Sequence, residues 1–376
     1  MSTESIDPLQ SDYYSSLLPL DAAERLYSYE DIQNAPNYFQ LDGLPLQLHC
    51  RELEPENDGY NPSGIHLVKV HPADAAPTPV TIVRTEESRG AYSAESRFCR
   101  FEESGELIEL PLARRPWEDA AICVLPDDTI ITSGVRVIWN ADDPSRHDRF
   151  FTEYYHGPSL ADQSYIGQSP DGHKDSRIAV VDGQLIIWTR PQQRSFEGKI
   201  HYTQLNSVDE LSGETNMDGE RVANAVYDRC QPVGSGIFAD GTWGGPNGAV
   251  DVGNGWALIQ CHVSRRIFES QALHAAVKDE TPPAELLEYD GFMLLHHPRS
   301  GRAHIFGSHL SERDFPVGGA KWPKVRRVAF PGGLHEVEVT EEGHVAGKAT
   351  VGLRDKDMYL VKWRTVNSLA KFLLQL

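Results

Sequence analysis

From Gly64 onward the apolar residues of this chain fall in short runs that alternate with polar ones and stop at Gly, Pro, Asn or Asp. A period of two marks a half-buried β-strand, and the stopping residues are those that turn the backbone. The clearest unit runs Trp117-Glu118-Asp119-Ala120-Ala121-Ile122-Cys123-Val124-Leu125, turns at Pro126-Asp127-Asp128, and returns over Thr129 to Val137. An acidic pair stands at the mouth of an apolar strand, and a hairpin folds back on it. The layout recurs at Lys174-Asp175-Ser176-Arg177-Ile178-Ala179-Val180-Val181, with a turn at Asp182-Gly183 and a second strand from Gln184 to Arg190. A looser copy is Gly245-Pro246-Asn247-Gly248-Ala249-Val250-Asp251-Val252, the turn Gly253-Asn254-Gly255, and a strand from Trp256 to Val263.

Further strands are predicted at Ile65 to Val70, Val80 to Thr85, Ser96 to Phe101, Leu107 to Leu110, Phe292 to His296 and Ala303 to Phe306. Val325 to Phe330, Leu334 to Val339, His344 to Leu353 and Met358 to Lys362 continue the series. Polar residues at strand starts recur at Asn61, Asp119, Asp175, Asn247 and Lys321, in steps of 58, 56, 72 and 74 residues. An irregular period of this size in a chain of antiparallel strands predicts an all-β fold, a five-bladed β-propeller. Radial repetition leaves few exposed edges; a pair of β-sandwiches is the alternative, and it does not predict the polar repeat. Residues 1–50 form a lead-in, with a helix predicted over Pro19 to Tyr27, that packs on the body or closes the ring; residues 51–376 form the propeller domain. Three stretches read as long loops: Asn140 to Asp171, Ser212 to Thr242, and Val263 to Leu287 with a helix at Ala272 to Val277. Loops of that length in a compact domain commonly carry function.

Composition narrows the function. The formal net charge of −20 repels phosphate backbones and anionic membrane surfaces, which sets nucleic acid and membrane aside as partners. No apolar run approaches the ~18 residues that span a bilayer, and the polar, acidic start lacks a signal-peptide pattern, so the expected location is cytoplasmic. The five cysteines are scattered with no C-x-x-C pair, and Cys99, Cys123 and Cys261 lie in apolar runs as buried thiols. His296-His297, with His304 and His309, suggests a metal, but adjacent strand residues face opposite ways, and no metal site is expected.

In a propeller the innermost strands line one channel, so residues at the same end of each converge. That brings together Asn61, Glu118, Asp119, Lys174, Asp175 and Asn247, with Arg84 and Glu86 from Val83-Arg84-Thr85-Glu86. Carboxylates serve proton transfer, cations hold an anion, and amides hold sugar hydroxyls. Trp117, Trp188 and Trp243 are flat faces suited to stacking on a sugar ring. The combination points to carbohydrate chemistry. A general acid working near neutral pH needs burial or a neighbouring carboxylate. Strand neighbours face apart, so Asp175 is the expected partner of Asp119, in preference to Glu118.

These pieces resemble a bacterial family catalogued as domain of unknown function 1861, itself similar to the five-bladed propeller mannoside phosphorylases and mannosidases of glycoside hydrolase family 130. The resemblance is carried by Tyr60-Asn61-Pro62; Arg84-Thr85-Glu86 with Glu95-Ser96; Glu118-Asp119; Lys174-Asp175 with Thr189-Arg190-Pro191; Trp243-Gly244-Gly245-Pro246-Asn247; Gly255-Trp256 with His262; and Gly352-Leu353-Arg354-Asp355. It implies that Asp119 is the general acid, from the aspartate of a Glu-Asp-Pro-Arg motif, although Ala120-Ala121 stands here in place of Pro-Arg. It also implies that Lys174, Arg190 and His262 face a phosphate site. The implied activity is cleavage of a glycosidic bond in a short mannoside-like oligosaccharide, by a glycoside hydrolase or a glycoside phosphorylase. Inorganic phosphate is the one co-substrate implied, and no cofactor is. Asp119, Asp175 and Glu86 are the catalytic candidates; Asn61, Arg84, Glu118, Lys174, Arg190, Trp243, Asn247 and His262 are the substrate-binding ones.

Each residue has a plainer role open to it. The aspartates can bind backbone amides, Lys174 and Arg190 can simply pair with them, the tryptophans and His262 can be core, Asn61 can be a turn residue, and Asp355 reads as a structural turn residue. The alternative function is a non-catalytic carbohydrate-binding propeller. A scaffold for protein partners would plug the funnel with apolar groups. A homo-oligomer built on the lead-in is compatible with the sequence.

Overall fold

Strands form where the alternation predicts them, and they pair in five antiparallel modules. The computed structural model of the chain describes residues 18–19, 26–35, 39–51, 57–87, 94–142, 147–192, 198–234, 236–267, 286–316, 325–341 and 343–366. Module one sets Asn57–Tyr60 and His66–Val68 against Thr78–Glu87, followed by Glu95–Phe101 and Glu106–Glu109. Module two is Trp117–Val124, Ile130–Trp139, His147–Gly157 and Ser164–Gln168. Module three is His173–Val181, Gln184–Pro191, His201–Leu205 and Gln231–Pro232. Module four is Thr242–Asp251, Ala257–Ile267, Leu286–His297 and Arg302–Leu310. Module five is Val325–Val339, Val345–Leu353 and Asp357–Thr365.

The N-terminal segment completes the last module. Phe39–Leu41 and Leu46–Cys50 both pair antiparallel with Asp357–Thr365, and Leu46–Cys50 also runs parallel to Glu106–Glu109 of module one. The beginning and end of the chain are therefore joined by main-chain hydrogen bonds. The apolar cores tell the same story. One cluster lies between modules one and two around Val80, Phe98, Trp117 and Ile122. Others join two to three, three to four, and four to five. A fifth, with Leu48, Val83, Cys99, Leu107, Met358 and Leu360, joins module five back to module one. Every module buries its two faces against its neighbours, which is how sheets of three or four strands become stable.

The inner strands meet tightly at the centre. A Cβ on Gly64 would stand 2.7 Å from the Leu334 carbonyl oxygen, and one on Gly248 would stand 2.8 Å from the Leu334 nitrogen, so modules one, four and five meet backbone to backbone. Thr350 Oγ1 donates to the Ser63 carbonyl at 2.9 Å, stitching five to one.

Several expectations need correction. Asn140 to Asp171 is not one long loop: it carries His147–Gly157 and Ser164–Gln168, the two outer strands of module two. Phe150, Phe151 and Tyr154 are buried and pack as strand side chains, with Tyr154 fully buried. The two strands expected around Pro331-Gly332-Gly333 are one, Val325–Val339, because a register shift between Pro331 and Gly333 absorbs the break. A helix does precede the body, but at Tyr29–Gln33, with Ser28 as N-cap; most of the stretch expected to be helical lies outside the described residues, as do Ala272 to Val277 and Lys321. No helix among the described residues is long and apolar enough to cross a membrane.

Trp117 and Trp188 are fully buried core residues, not platforms. Trp117 lies flat against Gly134, where a Cβ would come within 2.5 Å of the indole. Gly134→Ala should therefore destabilise by about 1–3 kcal/mol, the range for overpacking a filled core, read from the urea midpoint; an unchanged midpoint would remove this contact from the account. Trp188 Nε1 donates to His296 Nδ1 at 3.1 Å. Burial drives His296 down to about 3 from its ordinary 6.5, so the ring is neutral in the fold and charges on unfolding. A depressed histidine means that the unfolded chain binds the extra proton. Stability should therefore be lost as pH falls through that interval, by about 1.4 kcal/mol per pH unit. His296→Gln should reduce that slope in urea titrations run at several pH values, the remainder coming from His66, His173 and His335, which burial also holds down to about 4. His297 ends the strand and meets Ser300 of the following turn, away from the His296 ring. Cys99, Cys123 and Cys261 are buried free thiols.

Candidate active site

Each of the inner strands of modules two, three and four is interrupted by a bulge near its start. The register shifts between Ser133 and Val135 opposite Asp119, between Lys174 and Arg177 at Asp175, and between Pro246 and Gly248 at Asn247. Asn61, Asp119 and Asp175 have φ of 46°, 45° and 53°, in the left-handed region. Asn and Asp are the residues with side chains that enter it most readily. A bulge re-aims the side chain it carries, and here the result differs from expectation. Glu118 and Asp119, neighbours on a strand, both face the same cleft.

That cleft has a volume of about 260 Å³ and collects side chains from all five modules. This is just below the ~300–1,000 Å³ of sites for drug-sized ligands, a scale suited to a small polar molecule. Asn61, Arg84, Glu86, Glu118, Asp119, Lys174, Arg190 and His262 line it. Eight of the eleven sequence candidates thus share one surface, and it is lined by charge, not plugged by apolar groups.

Arg84 organises the acidic side. Its Nη2 lies 2.5 Å from Glu86 and 3.2 Å from Glu118, and its Nη1 lies 3.5 Å from Asp119. Burial alone would lower the guanidinium, but Glu118, Tyr60, Glu86 and Asp119 outweigh it and hold its pKa well above the ordinary range. Asn61 Nδ2 donates to Asp119 Oδ1 at 3.1 Å and fixes that carboxylate. Lys174 reaches Glu118 at 3.5 Å and sits 4.8 Å over the ring of Phe150.

Three candidates lie elsewhere. Asp175 is buried under the cleft with 0% exposure, and Arg190 Nε stands 2.8 Å from its Oδ2, without hydrogen-bond alignment. Asp175 is therefore matched to Arg190 and does not stand in the cleft beside Asp119, as expected. Asn247 is also beneath, with its Oδ1 2.8 Å from His262 Nδ1. Trp243 is buried and is not part of the cleft wall, so it offers no open face for a sugar. Burial and the Arg190 charge push His262 well below the ordinary histidine range, so its ring is neutral.

Sequence reasoning missed four contributors. Tyr289 and Phe330 form an aromatic wall, with Phe330 packed 4.9 Å from the His262 ring. Burial raises Tyr289 to about 12. Asp355, expected to be structural, lines the cleft from a left-handed turn with φ 54°. Arg177 is the fourth. It is buried at the centre, and its guanidinium donates to the carbonyls of Asn247 at 2.8 Å, Asp119 at 3.0 Å and Ser176 at 3.1 Å. One side chain thus ties together the bulges of three modules beneath the cleft. Asp355 had a signal in the Arg354-Asp355 turn; the others had none, because only the closure of modules brings them together.

Among the described residues no group of three or more His, Cys, Asp or Glu is arranged to hold a metal ion.

The fold and site define an all-β protein with one acidic, cation-studded cleft at the meeting point of its modules. The family described as Protein of unknown function (DUF1861) matches residues 117–355, and the chain belongs to it. Among solved structures the fold is shared with MPT-4, a mannose phosphorylase from Leishmania mexicana in complex with phosphate ion, at TM-score 0.67 and 19% identity over 97% of this chain and 94% of that one. It is shared with MPT-1, a GDP-Man-dependent mannosyltransferase from Leishmania mexicana, at TM-score 0.66 and 16% identity over 87% of this chain and 91% of that one. A hypothetical protein from Leishmania major is similar at TM-score 0.61 and 19% identity, over 86% of this chain and 90% of that one. At these identities the likeness is one of fold. No curated protein matches the chain.

Proposed function

We propose that this protein is a carbohydrate-active enzyme, a five-bladed β-propeller whose modules are the blades, that cleaves a glycosidic bond in a short mannoside-like oligosaccharide. The observation that carries the reading is the gathering of Glu86, Glu118 and Asp119 around Arg84 in the same cleft as Lys174, Arg190 and His262. Asp119, fixed by Asn61, gives its proton to the leaving oxygen. Glu86 is the second carboxylate of the cleft. Tyr289 and Phe330 take the C–H face of a sugar ring, leaving its hydroxyls to the charged wall. The mannose chemistry named for the two Leishmania mexicana proteins of the same fold supports a mannoside as substrate.

The test is a turnover screen of the purified protein on manno-oligosaccharides and aryl mannosides, with and without inorganic phosphate. Free sugar or sugar 1-phosphate is the expected product, and which of them forms names the nucleophile. Sugar binding by calorimetry with no turnover across the panel would overturn the reading in favour of a binding module.

A further inference from the structure

The floor of the cleft holds a mismatch between acceptors and donors. His262 and Asp175 have side chains 1% exposed, and His262 Nε2 stands 3.9 Å from Asp175 Oδ2. That is too far for a direct hydrogen bond. The neutral ring donates from Nδ1 to Asn247 Oδ1, which leaves Nε2 as an acceptor. It faces a carboxylate oxygen, also an acceptor; Nε2 has no hydrogen-bond partner among the described residues, and Oδ2 has only the Arg190 Nε, at 2.8 Å and without hydrogen-bond alignment. Buried polar atoms left in this state are rare in folded proteins and call for a bridging group. The gap is kept open by Gly245, where a Cβ would run into Asp175 Oδ2 and stand 3.0 Å from His262 Cε1.

The charge balance adds an independent argument. Arg84, Lys174 and Arg190, with Arg177 beneath them, are the cations of the cleft and its floor, and Glu86, Glu118, Asp119, Asp175 and Asp355 are the carboxylates. Arg84, Lys174 and Arg190 each already face at least one carboxylate, and Arg177 is taken up by three main-chain carbonyls. A multiply charged anion gains little in such surroundings.

We propose that the gap between His262 Nε2 and Asp175 Oδ2 binds a single water molecule, and that this water is the nucleophile of the reaction. Water has two O–H donors, one for each acceptor, whereas the hydroxyl of a sugar has only one. The assignment rests on the glycosidic-cleavage reading given above. The water oxygen bonds to the sugar carbon as the glycosidic carbon–oxygen bond breaks. Its proton passes to Asp175, and the Asp119 proton passes to the leaving oxygen. Asp175 is thereby a catalytic base, and Asn247, which sets the tautomer of His262, is a positioning residue.

A crystal structure of the ligand-free protein tests the site without any substrate. An ordered water within about 2.7–3.2 Å of both atoms is expected, and it should be lost in Gly245→Ala. A direct His262–Asp175 hydrogen bond, or no density between them, overturns the site. Turnover of a manno-oligosaccharide in ¹⁸O-labelled water, with and without inorganic phosphate, tests the role. Label in the new reducing sugar, at a rate unchanged by phosphate, identifies water. A lengthened oligosaccharide without label overturns the role. Sugar 1-phosphate overturns the role. Asp175→Asn should lower kcat by about 10²–10⁴-fold with calorimetric sugar binding kept, and an unchanged kcat also overturns the role. Absence of all turnover in the wild type defeats the glycosidic reading, and the role with it, while the crystal result still decides whether the site exists.

Discussion

Asp119→Asn should lower kcat on a manno-oligosaccharide by about 10²–10⁴-fold, the range for losing a general acid, with little change in sugar binding. The amide keeps the shape of the side chain and can still meet Asn61, which reaches Asp119 Oδ1 at 3.1 Å in the wild type. It keeps the backbone as well, since asparagine enters the left-handed region as readily as aspartate. The loss should shrink on aryl glycosides with acidic leaving groups, because a phenolate departs with less help from a proton. A variant that retains full activity on a natural linkage would remove Asp119 from the role. Activity lost equally on every leaving group would move it from acid to scaffold. Paired measurement of kcat and of the binding constant separates these outcomes.

The second large effect is expected at Arg84. Its guanidinium touches Glu86, Glu118 and Asp119 with only 15% of the side chain exposed. Arg84→Met removes the counter-ion that the three carboxylates share and leaves Lys174 as the cation nearest Glu118. Breaking a buried ion pair from one side costs about 3–5 kcal/mol, and urea unfolding at neutral pH should show a loss of that order. The pH dependence gives a second check. In the variant, mutual repulsion raises the folded-state pKa of the carboxylates above the unfolded value. The folded variant then binds the extra proton, and its stability improves as pH falls through the raised pKa. A narrowing gap between variant and wild type toward acid pH is the expected result. A gap that stays constant with pH would assign the loss to packing of the arginine stem.

Much of this site was legible in the sequence because its signals are local. Asn61, Asp119 and Asp175 stand at equivalent strand starts, and their residue type suits the left-handed backbone found there. The strands that follow alternate cleanly, so their faces and turns could be placed. What escaped depends on pairing between distant segments. Glu118 and Asp119 share a face only because Ser133 to Val135 shifts register against them. Asp175 sinks below the cleft because Arg190 of the next strand and His262 of the next module enclose it. The aromatic residues of His147–Gly157 mimic a binding loop in composition, yet they are outer-strand packing. Trp243 looked like a platform because it precedes a glycine-rich stretch, and burial removes that role.

The arginine at the centre decides how molecules move through the protein. Arg177 spans the carbonyls of Asp119, Ser176 and Asn247, and on the proposed reading it stops the cleft at its far end. On the proposed reading, a chain enters end first and is trimmed from its tip. Both fragments must depart past one another through the same doorway. The piece nearest the floor leaves last, and while it stays the next chain waits outside. Traffic of this kind makes the enzyme sensitive to accumulation of its own small product, and it bars action in the middle of a long polymer.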